Sequence, residues 1–392
     1  MKTILLNPRE EQRILQGHDW VFSNEIRKPA EPIQPGELVE VQNASGRFLG
    51  IGFYNPHSLI AARLLSRHPA TIDENFFLEK LRRALQYRQT VKPGAKSFRL
   101  CHGESDGLPG LILDKYEEYL SVQILAFGME KLWPLIREAL EKLLRPKGVL
   151  LKNNHPLREL EKLPLETRVD SGDIPERIQI EENGVRFLVN LMGGQKTGFF
   201  FDQSENRERA ASCSKDKNIL DLFCYTGGFG LCAARAGAVR VVGMDSSRPA
   251  IELARENAQL NGFQDRCRYS EQDAASFLES EVAKKSSLPF DLIILDPPTF
   301  APSKKDLPKA LWAYLKLNSL ALKCLEPGGI LATSTCSHHV TRDHFLCMLF
   351  KASAKAQKRV RLIEYRTQAK DHPILLAMPE TQYLHFALLQ VL

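Results

Sequence analysis

The chain has 392 residues, of which 43% are hydrophobic and 26% are charged, and its net charge is +6. This composition is typical of a folded globular protein, and the length exceeds one ordinary hydrophobic core, so we expect two or three domains. The chain lacks a run of about 18 apolar residues, and its N-terminus lacks the apolar segment of a signal peptide. These absences predict a cytoplasmic protein with no membrane partner.

Residues 1–72 are predicted to form a small β-rich barrel. Short apolar stretches alternate there with pairs of turn-forming residues, and such pairs typically join neighbouring strands. The turn pairs are Pro35-Gly36, Ser45-Gly46 and Asn55-Pro56.

Residues 73–183 are predicted to form a small α+β domain with a connecting arm. The domain begins with a helix at 73–91, which Asp73 would cap. Strands joined by a glycine-rich turn, a helix and a further strand follow between residues 98 and 154. The polar, proline-containing stretch at 155–182 is interpreted as a linker or extended arm.

From residue 184 onward the chain alternates regularly between strands and helices. Strands are predicted at 218–223, 239–245, 266–271, 290–296 and 329–336, with two more near the C-terminus. Helices are predicted at 228–237, 248–261, 274–285, 304–325 and 341–357. This alternation predicts a Rossmann-like α/β domain over 184–392, in which ligands bind at the carboxyl ends of parallel strands.

The segment 218–245, NILDLFCYTGGFGLCAARAGAVRVVGMD, carries the clearest cofactor signal. A glycine turn follows the strand that contains Asp221, and the next strand ends at Asp245. Glycines let the backbone turn sharply beside a ligand, and the second acidic residue can bind a ribose diol. Because the Asp221 carboxylate would repel a pyrophosphate but attract a cation, the pattern favours S-adenosylmethionine over NAD.

Four aspartates lie at the ends of successive predicted strands. One such residue is usually a helix cap, but four in register favour a nucleotide-like cofactor. We expect Asp221 near the methionine amino group and sulfonium, Asp245 on the ribose hydroxyls and Asp273 at the adenine amino group. The other candidate cofactor contacts are Phe223, Tyr225, Gly227, Ser246, Ala274 and Asp296.

The fourth strand is followed by the segment DPPTF, residues 296–300. Its two prolines fix the backbone and prevent the strand from continuing, so the loop is predicted to be rigid. We expect Asp296 to face a planar substrate and Phe300 to stack on a base. A plain strand terminator is the alternative.

Cys336 follows the fifth strand at the same predicted sheet edge. Its polar neighbours would allow the thiol to ionise and act as a nucleophile, although a lone cysteine in a strand often only packs in a core. Cys224 lies inside the cofactor turn and is expected to pack. The eight cysteines lack paired CxxC spacing, so neither a metal site nor a disulfide framework is predicted.

The positive charge is concentrated in residues 184–392, which hold 27 Lys and Arg against 21 Asp and Glu. A phosphate-binding surface and a solvated helix face remain equally open as interpretations. Further basic residues cluster at Lys351, Lys355, Lys358, Arg359 and Arg361.

Upstream, the segment GGQKTGFFFDQSENR (193–207) is expected to cap a helix through Asp202 and to line the pocket. The candidate substrate contacts are Lys196, Arg207, Pro297, Pro298, Phe300, Lys304 and Lys305.

The motifs DLFCYTGGFG, DPPTF, STCS and QKTGFFFDQSENR, on a chain with a β-rich N-terminal domain, resemble those of the 23S ribosomal RNA cytosine-5 methyltransferase I family. The resemblance extends over essentially the whole chain. It implies an N-terminal PUA domain, a central domain of strand-strand-helix-strand-strand order, and a class I methyltransferase domain. The implied cofactor is S-adenosylmethionine and the implied partner is 23S ribosomal RNA, with a homodimer left open.

The resemblance also implies a mechanism. The Cys336 thiolate would add to C6 of cytosine, which makes C5 nucleophilic enough to take the methyl group, while Asp296 would hold the N3/N4 edge. Many cytosine-5 RNA methyltransferases place a second cysteine in the DPP-like loop. Here Thr299 occupies that neighbourhood, so the base that removes the C5 proton is unassigned. Ser204 stands where the family often has arginine.

Two other functions stay open. An aromatic residue after the two prolines is also how exocyclic amino methyltransferases hold their substrate, and Cys336 would then be dispensable. A non-catalytic RNA-binding or ribosome-assembly factor is the third interpretation, which the four aspartates oppose.

Overall fold

The computed structural model describes residues 1–27, 29, 31–284, 289–301 and 303–392. The chain forms two compact units. The first unit comprises residues 1–180, 189–201 and 370–381, and the second comprises residues 181–188, 202–369 and 382–392. Both units are therefore discontinuous in sequence, which no local pattern indicates.

The first unit begins with a five-stranded sheet. Its elements are β1 (Lys2–Leu5), α1 (Gln12–Leu15), β2 (Trp20–Phe22), β3 (Glu37–Gln42), β4 (Phe48–Tyr54) and β5 (Ile60–Ser66). The strand order is β1-β3-β4-β5-β2. Only β1 and β3 pair in parallel. The β-rich character predicted for this region is confirmed.

A second five-stranded sheet follows in the same unit. Its elements are α2 (Glu74–Val91), β6 (Phe98–His102), β7 (Leu111–Tyr116), β8 (Tyr119–Ile124), α3 (Phe127–Leu144), β9 (Gly148–Asn153), α4 (Leu157–Leu160) and β10 (Glu166–Gly172). The strand order is β10-β9-β8-β7-β6. Asp73 caps α2 as predicted, because its side chain accepts a hydrogen bond from Phe76 N. The segment β7-β8-α3-β9-β10 has the order that the resemblance implies, and β6 adds an edge strand.

Part of the stretch 155–182, interpreted from its sequence as a linker or extended arm, forms strand β10. It pairs antiparallel with β9 and forms the edge of the second sheet. An edge strand is covered on one side only, and most β10 side chains are partly or fully exposed. Its sequence therefore lacks the apolar alternation from which strands are predicted.

The second unit contains the predicted α/β sheet. Its elements are α5 (Ser204–Ala211), β13 (Asn218–Leu222), α6 (Gly228–Arg235), β14 (Arg240–Asp245), α7 (Arg248–Leu260), β15 (Cys267–Glu271), α8 (Ala274–Ala283), β16 (Leu292–Leu295), α9 (Leu307–Lys323), β17 (Ile330–Thr335), α10 (Arg342–Ala356), β18 (Val360–Arg366) and β19 (His385–Val391). A hairpin of β11 (Ile178–Glu182) and β12 (Val185–Val189) precedes them.

The sheet has the order β15-β14-β13-β16-β17-β19-β18. Strands β15, β14, β13, β16 and β17 are parallel, and β19 runs antiparallel to both of its neighbours. Helices α8, α9 and α10 share a buried core with side chains of β13 and β16. The carboxyl ends of the five parallel strands therefore meet at one edge, as predicted.

The predicted elements of this sheet are confirmed, with ends that differ by up to about three residues. The predicted end of the helix at 274–285 lies outside the described residues. Within the described residues, every helix falls short of the length and hydropathy that crossing a membrane requires.

Candidate active site

The turn after β13 is held in an uncommon backbone conformation. Gly227, the N-cap residue of α6, has a φ of 85°. Phe223 and Tyr225 also have positive φ, at 61° and 48°, which costs free energy in residues that carry a Cβ. Cys224 N donates to Met244 O at 3.0 Å, so the turn is fixed to the end of β14. Backbone strain at the carboxyl edge of a parallel sheet is typical of a ligand site.

Asp221 is the most deeply buried of the four aspartates, with 1% of its surface exposed. Its Oδ2 accepts a hydrogen bond from Gly230 N at 2.8 Å, whereas its buried Oδ1 has no hydrogen-bond partner among the residues that the structure describes. Burial raises the pKa of Asp221 to about 7, and repulsion from Asp296 and Asp245 acts in the same direction. An acceptor left without a donor in a buried site fits a cationic ligand group, so the residues present suit the ammonium and sulfonium of S-adenosylmethionine.

Asp245 is partly exposed at the end of β14. Its Oδ2 accepts from Tyr225 N at 2.9 Å and its Oδ1 accepts from Ser247 N at 2.8 Å. These backbone donors orient the carboxylate, and each oxygen retains a second lone pair for a ligand hydroxyl. Ser246, the neighbouring candidate, is exposed.

Asp273 has a structural role that the sequence pattern did not assign to it. It is the N-cap of α8 and accepts from Ser276 N at 2.7 Å. Hydrogen bonding to Ser276 lowers its pKa below the usual value. A cap accounts for this aspartate without a ligand. Ala274, also a candidate contact, is the buried first residue of α8.

Asp296 is held by side chains from two distant parts of the chain. Its Oδ1 accepts a hydrogen bond from Gln203 Nε2 at 2.9 Å and another from the Ser334 hydroxyl. Ser334 lies on β17, two residues before Cys336. The carboxylate after β16 is thus tied directly to the strand that leads to the cysteine.

The upstream motif acts differently from the cap that the sequence predicts. Gln203, and not Asp202, occupies the N-cap position of α5, and it makes no side-chain cap. Asp202 instead accepts from the Tyr383 hydroxyl at 2.7 Å. The ring of His338, on the Cys336 loop, lies stacked on Tyr383 with centroids 5.1 Å apart. The motif therefore contacts Asp296 of the DPPTF loop directly through Gln203, and it is linked to His338 of the Cys336 loop through Tyr383.

Tyr314 of α9 joins the DPPTF loop to the STCS loop. This side chain is fully buried, and its hydroxyl lies 2.9 Å from Ser337 Oγ. Ser337 Oγ is in turn 2.9 Å from Thr299 Oγ1, and Phe300 N donates to the Tyr314 hydroxyl at 3.4 Å. The two loops are therefore held in a fixed relative position, next to Asp296 on one side and Cys336 on the other.

The two candidate cysteines differ in their surroundings. Cys336 is partly exposed, directly beyond β17. Cys224 is buried, and burial raises its pKa well above the usual value of a thiol. Because the thiolate is the reactive form, Cys224 is a poor nucleophile and acts in packing, as the sequence suggests.

The predicted substrate contacts fall into different environments. Pro298 is exposed at the surface of the DPPTF loop, whereas Pro297 is buried. The Phe300 ring packs on Tyr314 with centroids 4.8 Å apart. Lys304 and Lys305 are both exposed in a short 3-10 helix that leads into α9.

Two basic candidates are engaged elsewhere. Arg207 is 3% exposed, and its guanidinium pairs with the buried Glu182 at 2.6 Å. This ion pair gives Arg207 a structural role in place of the substrate contact predicted from sequence, because opening a buried pair is costly. Lys196 belongs to the first unit, where its ammonium lies 4.4 Å from the centroid of the Phe200 ring.

Sequence reasoning missed two residues that organise the candidate site, Ser334 and Tyr314, which resemble ordinary strand and helix residues. It expected Gln203 to line the pocket as part of the upstream motif, but it did not predict the contact that Gln203 makes. The positions of these three residues in the site arise from hydrogen bonds to Asp296 and Ser337, which lie far away in the sequence.

The chain was compared with known families and structures. Residues 4–67 match a PUA-like domain, and residues 161–373 match S-adenosylmethionine-dependent methyltransferases. Ribosomal RNA large subunit methyltransferase I of Pseudoalteromonas atlantica is 37% identical over 99% of both chains. The protein of the same name in Vibrio cholerae is also 37% identical, over 97% of both chains.

Solved structures agree on the fold. SMU.776, whose crystal structure is complexed with SAH, aligns over 100% of both chains with a TM-score of 0.86 and 20% identity. At that identity the similarity shows the shared fold. The full-length sequence relatives establish the family, and the Asp221 turn fits its cofactor. The chain belongs to the ribosomal RNA large subunit methyltransferase I family and is an S-adenosylmethionine-dependent enzyme.

Proposed function

We propose that the enzyme methylates C5 of a cytosine in 23S ribosomal RNA through a covalent bond between Cys336 and C6. The observation that carries this proposal is the fixed geometry around Cys336. Ser337 and Ser334, on either side of the cysteine, are hydrogen-bonded to the DPPTF loop through Thr299 and Asp296. A nucleophile and a carboxylate are thereby presented together beside the cofactor turn.

S-adenosylmethionine, when bound, supplies the methyl group as an electrophile. In our assignment Asp221 binds its cationic methionine end and Asp245 accepts from the ribose hydroxyls. Because burial raises the pKa of Asp221 to about 7, the ionised fraction of this carboxylate grows as the pH rises through neutrality. The backbone donors on Asp245 keep that carboxylate oriented before any ligand arrives.

Cys336 activates the cytosine ring, because C5 is a poor nucleophile until a group has added at C6. Its thiolate forms the S–C6 bond, and the electron pair of the C5–C6 double bond moves toward C5 and the ring. Asp296, in its protonated form, holds the N3/N4 edge, donates its proton to N3 as this charge develops and takes the proton back when the thiolate leaves. After methylation a base removes the C5 proton, the C5–C6 double bond re-forms, and the thiolate leaves. Thr299 offers a hydroxyl in the neighbourhood where many cytosine-5 RNA methyltransferases place a second cysteine.

The modified base identifies the reaction. We expect mass spectrometry of 23S ribosomal RNA from cells with and without the gene to show a single 5-methylcytidine that depends on the protein. Fragment mapping locates the nucleotide in the same experiment. An N4-methylated cytidine or another N-methylated base would replace our proposal with the exocyclic amino alternative, and an unchanged methylation pattern would refute the proposed cytosine-5 methylation of 23S ribosomal RNA. Since ribosomal RNA is the substrate, we place the enzyme in the cytoplasm.

Lys304 and Lys305 are proposed to contact RNA phosphates beside the DPPTF loop. Reversing both charges, in Lys304→Glu/Lys305→Glu, should weaken RNA binding at all sequences. It should also reduce the slope of log affinity against log salt by about 2, since each phosphate contact releases about one counterion. Filter binding at several salt concentrations measures both quantities.

Lys215 and Lys217 provide a matched control. Both are exposed and precede β13, at the amino edge of the sheet and away from the DPPTF loop. Their double reversal changes the net charge equally and should have a smaller effect on the salt slope. Equal effects of the two double variants would mean that net charge, and not this position, governs RNA binding.

A further inference from the structure

Helix α9 displays an exposed tryptophan between lysines. Trp312 is 58% exposed, and Lys309 and Lys316 lie three residues before and four residues after it. Residues at this spacing share one helix face. We call Lys309, Trp312 and Lys316 the α9 stripe. The opposite face packs in the core through Ala310, Tyr314, Leu317 and Ala321.

The fold itself does not account for the exposure of Trp312. The other two tryptophans are more buried, Trp133 at 6% exposed and Trp20 at an intermediate level. A large apolar side chain held at the surface among charges is typical of an interaction site. The Lys316 ammonium lies 5.7 Å from the centroid of the Trp312 ring and also pairs with Glu279.

The α9 stripe is connected to the proposed substrate loops. The 3-10 helix with Lys304 and Lys305 directly precedes α9. On the inner face of α9, Tyr314 holds the DPPTF and STCS loops together through Phe300 N and Ser337. The same helix therefore positions the target-base loops with one face and exposes an aromatic, cationic stripe with the other.

We propose that the α9 stripe binds single-stranded RNA next to the target nucleotide, with Trp312 stacked on an unpaired base and Lys309 on the adjoining phosphates. This inference rests on the proposed function for the location of the target base. Taking a base out of a helix leaves its neighbours unstacked, and an aromatic platform compensates for the lost stacking. The indole ring can stack on any of the four bases, so this contact does not require a particular RNA sequence.

Charge favours RNA over a second copy of the chain as the partner. A twofold contact made by the stripe would bring the lysines of one copy toward those of the other, and like charges in contact are unfavourable. A phosphate backbone has the opposite sign and suits Lys309, whereas Lys316 is also paired with Glu279.

The test uses the full chain and a single-stranded RNA fragment that contains the modified cytosine. Trp312→Ala should weaken RNA binding about tenfold, the effect of removing one stacked base. Trp312→Phe should recover part of this loss. S-adenosylmethionine affinity should stay as in the wild type, and KM for RNA should change more than kcat. RNA should quench wild-type tryptophan fluorescence, and Trp312→Phe should lose that quenching.

Phe350 gives the matched control, because it is an aromatic residue of α10 that is 71% exposed. Phe350→Ala should leave RNA affinity unchanged. Unchanged affinity in Trp312→Ala, an equal loss in Phe350→Ala, or a wild-type dimer that Trp312→Ala dissociates would each overturn the inference. If the wild type binds RNA through Trp312 but forms no 5-methylcytidine, only the proposed function fails. If it forms 5-methylcytidine but Trp312→Ala binds normally, only this inference fails.

Discussion

Replacing Cys336 with alanine should abolish cytosine-5 methylation and leave S-adenosylmethionine affinity largely unchanged. The C5 carbon of cytosine is a poor nucleophile until a group adds at C6, so loss of the thiolate removes the reaction path and not merely part of its rate. Transfer of labelled methyl groups to RNA measures the reaction, and calorimetry measures cofactor binding. Cys336→Ser should be similarly inactive, because a serine hydroxyl ionises far less readily than a thiol.

A trapping experiment tests the covalent bond itself. RNA that carries 5-fluorocytosine at the target has no C5 proton to lose, so the wild-type adduct should accumulate and survive denaturing electrophoresis. Cys336→Ala should form no such adduct. Cys347 is an exposed cysteine on α10, and Cys347→Ala should behave as the wild type in both assays. Retained cytosine-5 methylation in Cys336→Ala would refute the cysteine mechanism, and retained methylation of an amino group would support the alternative enzyme.

Replacing Asp221 with asparagine should weaken S-adenosylmethionine binding by about ten- to a hundredfold, the effect of losing one hydrogen-bonded charge. The amide oxygen can still accept from Gly230 N, so the turn should keep its geometry. Without ligand, the variant should be more stable than the wild type at pH 8, because it removes a buried carboxylate that has an unsatisfied oxygen. Calorimetry and thermal unfolding measure the two effects. A variant that loses both cofactor affinity and stability would contradict the assignment of Asp221 to cofactor binding at the expense of stability.

The pH dependence follows from the same residue. Burial raises the pKa of Asp221 from 3.8 to about 7, so between these values the folded state holds the proton more tightly than the unfolded state. Its contribution to stability is therefore present below about pH 4 and is lost as the pH rises through about 7. Cation binding needs the carboxylate, so cofactor affinity should rise with pH between about 6 and 8.

Asp221→Asn should lose this pH dependence of cofactor binding. Asp265, an exposed carboxylate just before β15, supplies the control. Asp265→Asn should retain both the affinity and its pH profile. An identical profile in Asp221→Asn would assign the titration to another group.

The sequence by itself determined the helices, strands and caps that depend on residues close together in the chain. Apolar periodicity and turn residues identified the strands and helices of the α/β sheet, and the position of Asp221, Asp245, Asp296 and Cys336 after successive strands located the edge where the site lies. A parallel sheet brings such positions together whatever the details of packing. The Asp73 cap of α2 was predictable for the same reason, since donor and acceptor are three residues apart.

The tertiary structure decided which of these side chains act together. The strand pattern does not distinguish Asp273 from Asp221. In the fold, Asp273 is an exposed N-cap of α8, whereas Asp221 is buried and one of its oxygens lacks a hydrogen bond within the described residues. Gln203 contacts Asp296, and Tyr314 contacts Ser337, across separations that no local pattern spans. Hydrogen bonding and burial depend on what the folded chain brings near a residue, and this is why the sequence located the edge of the site while only the fold assigned its contacts.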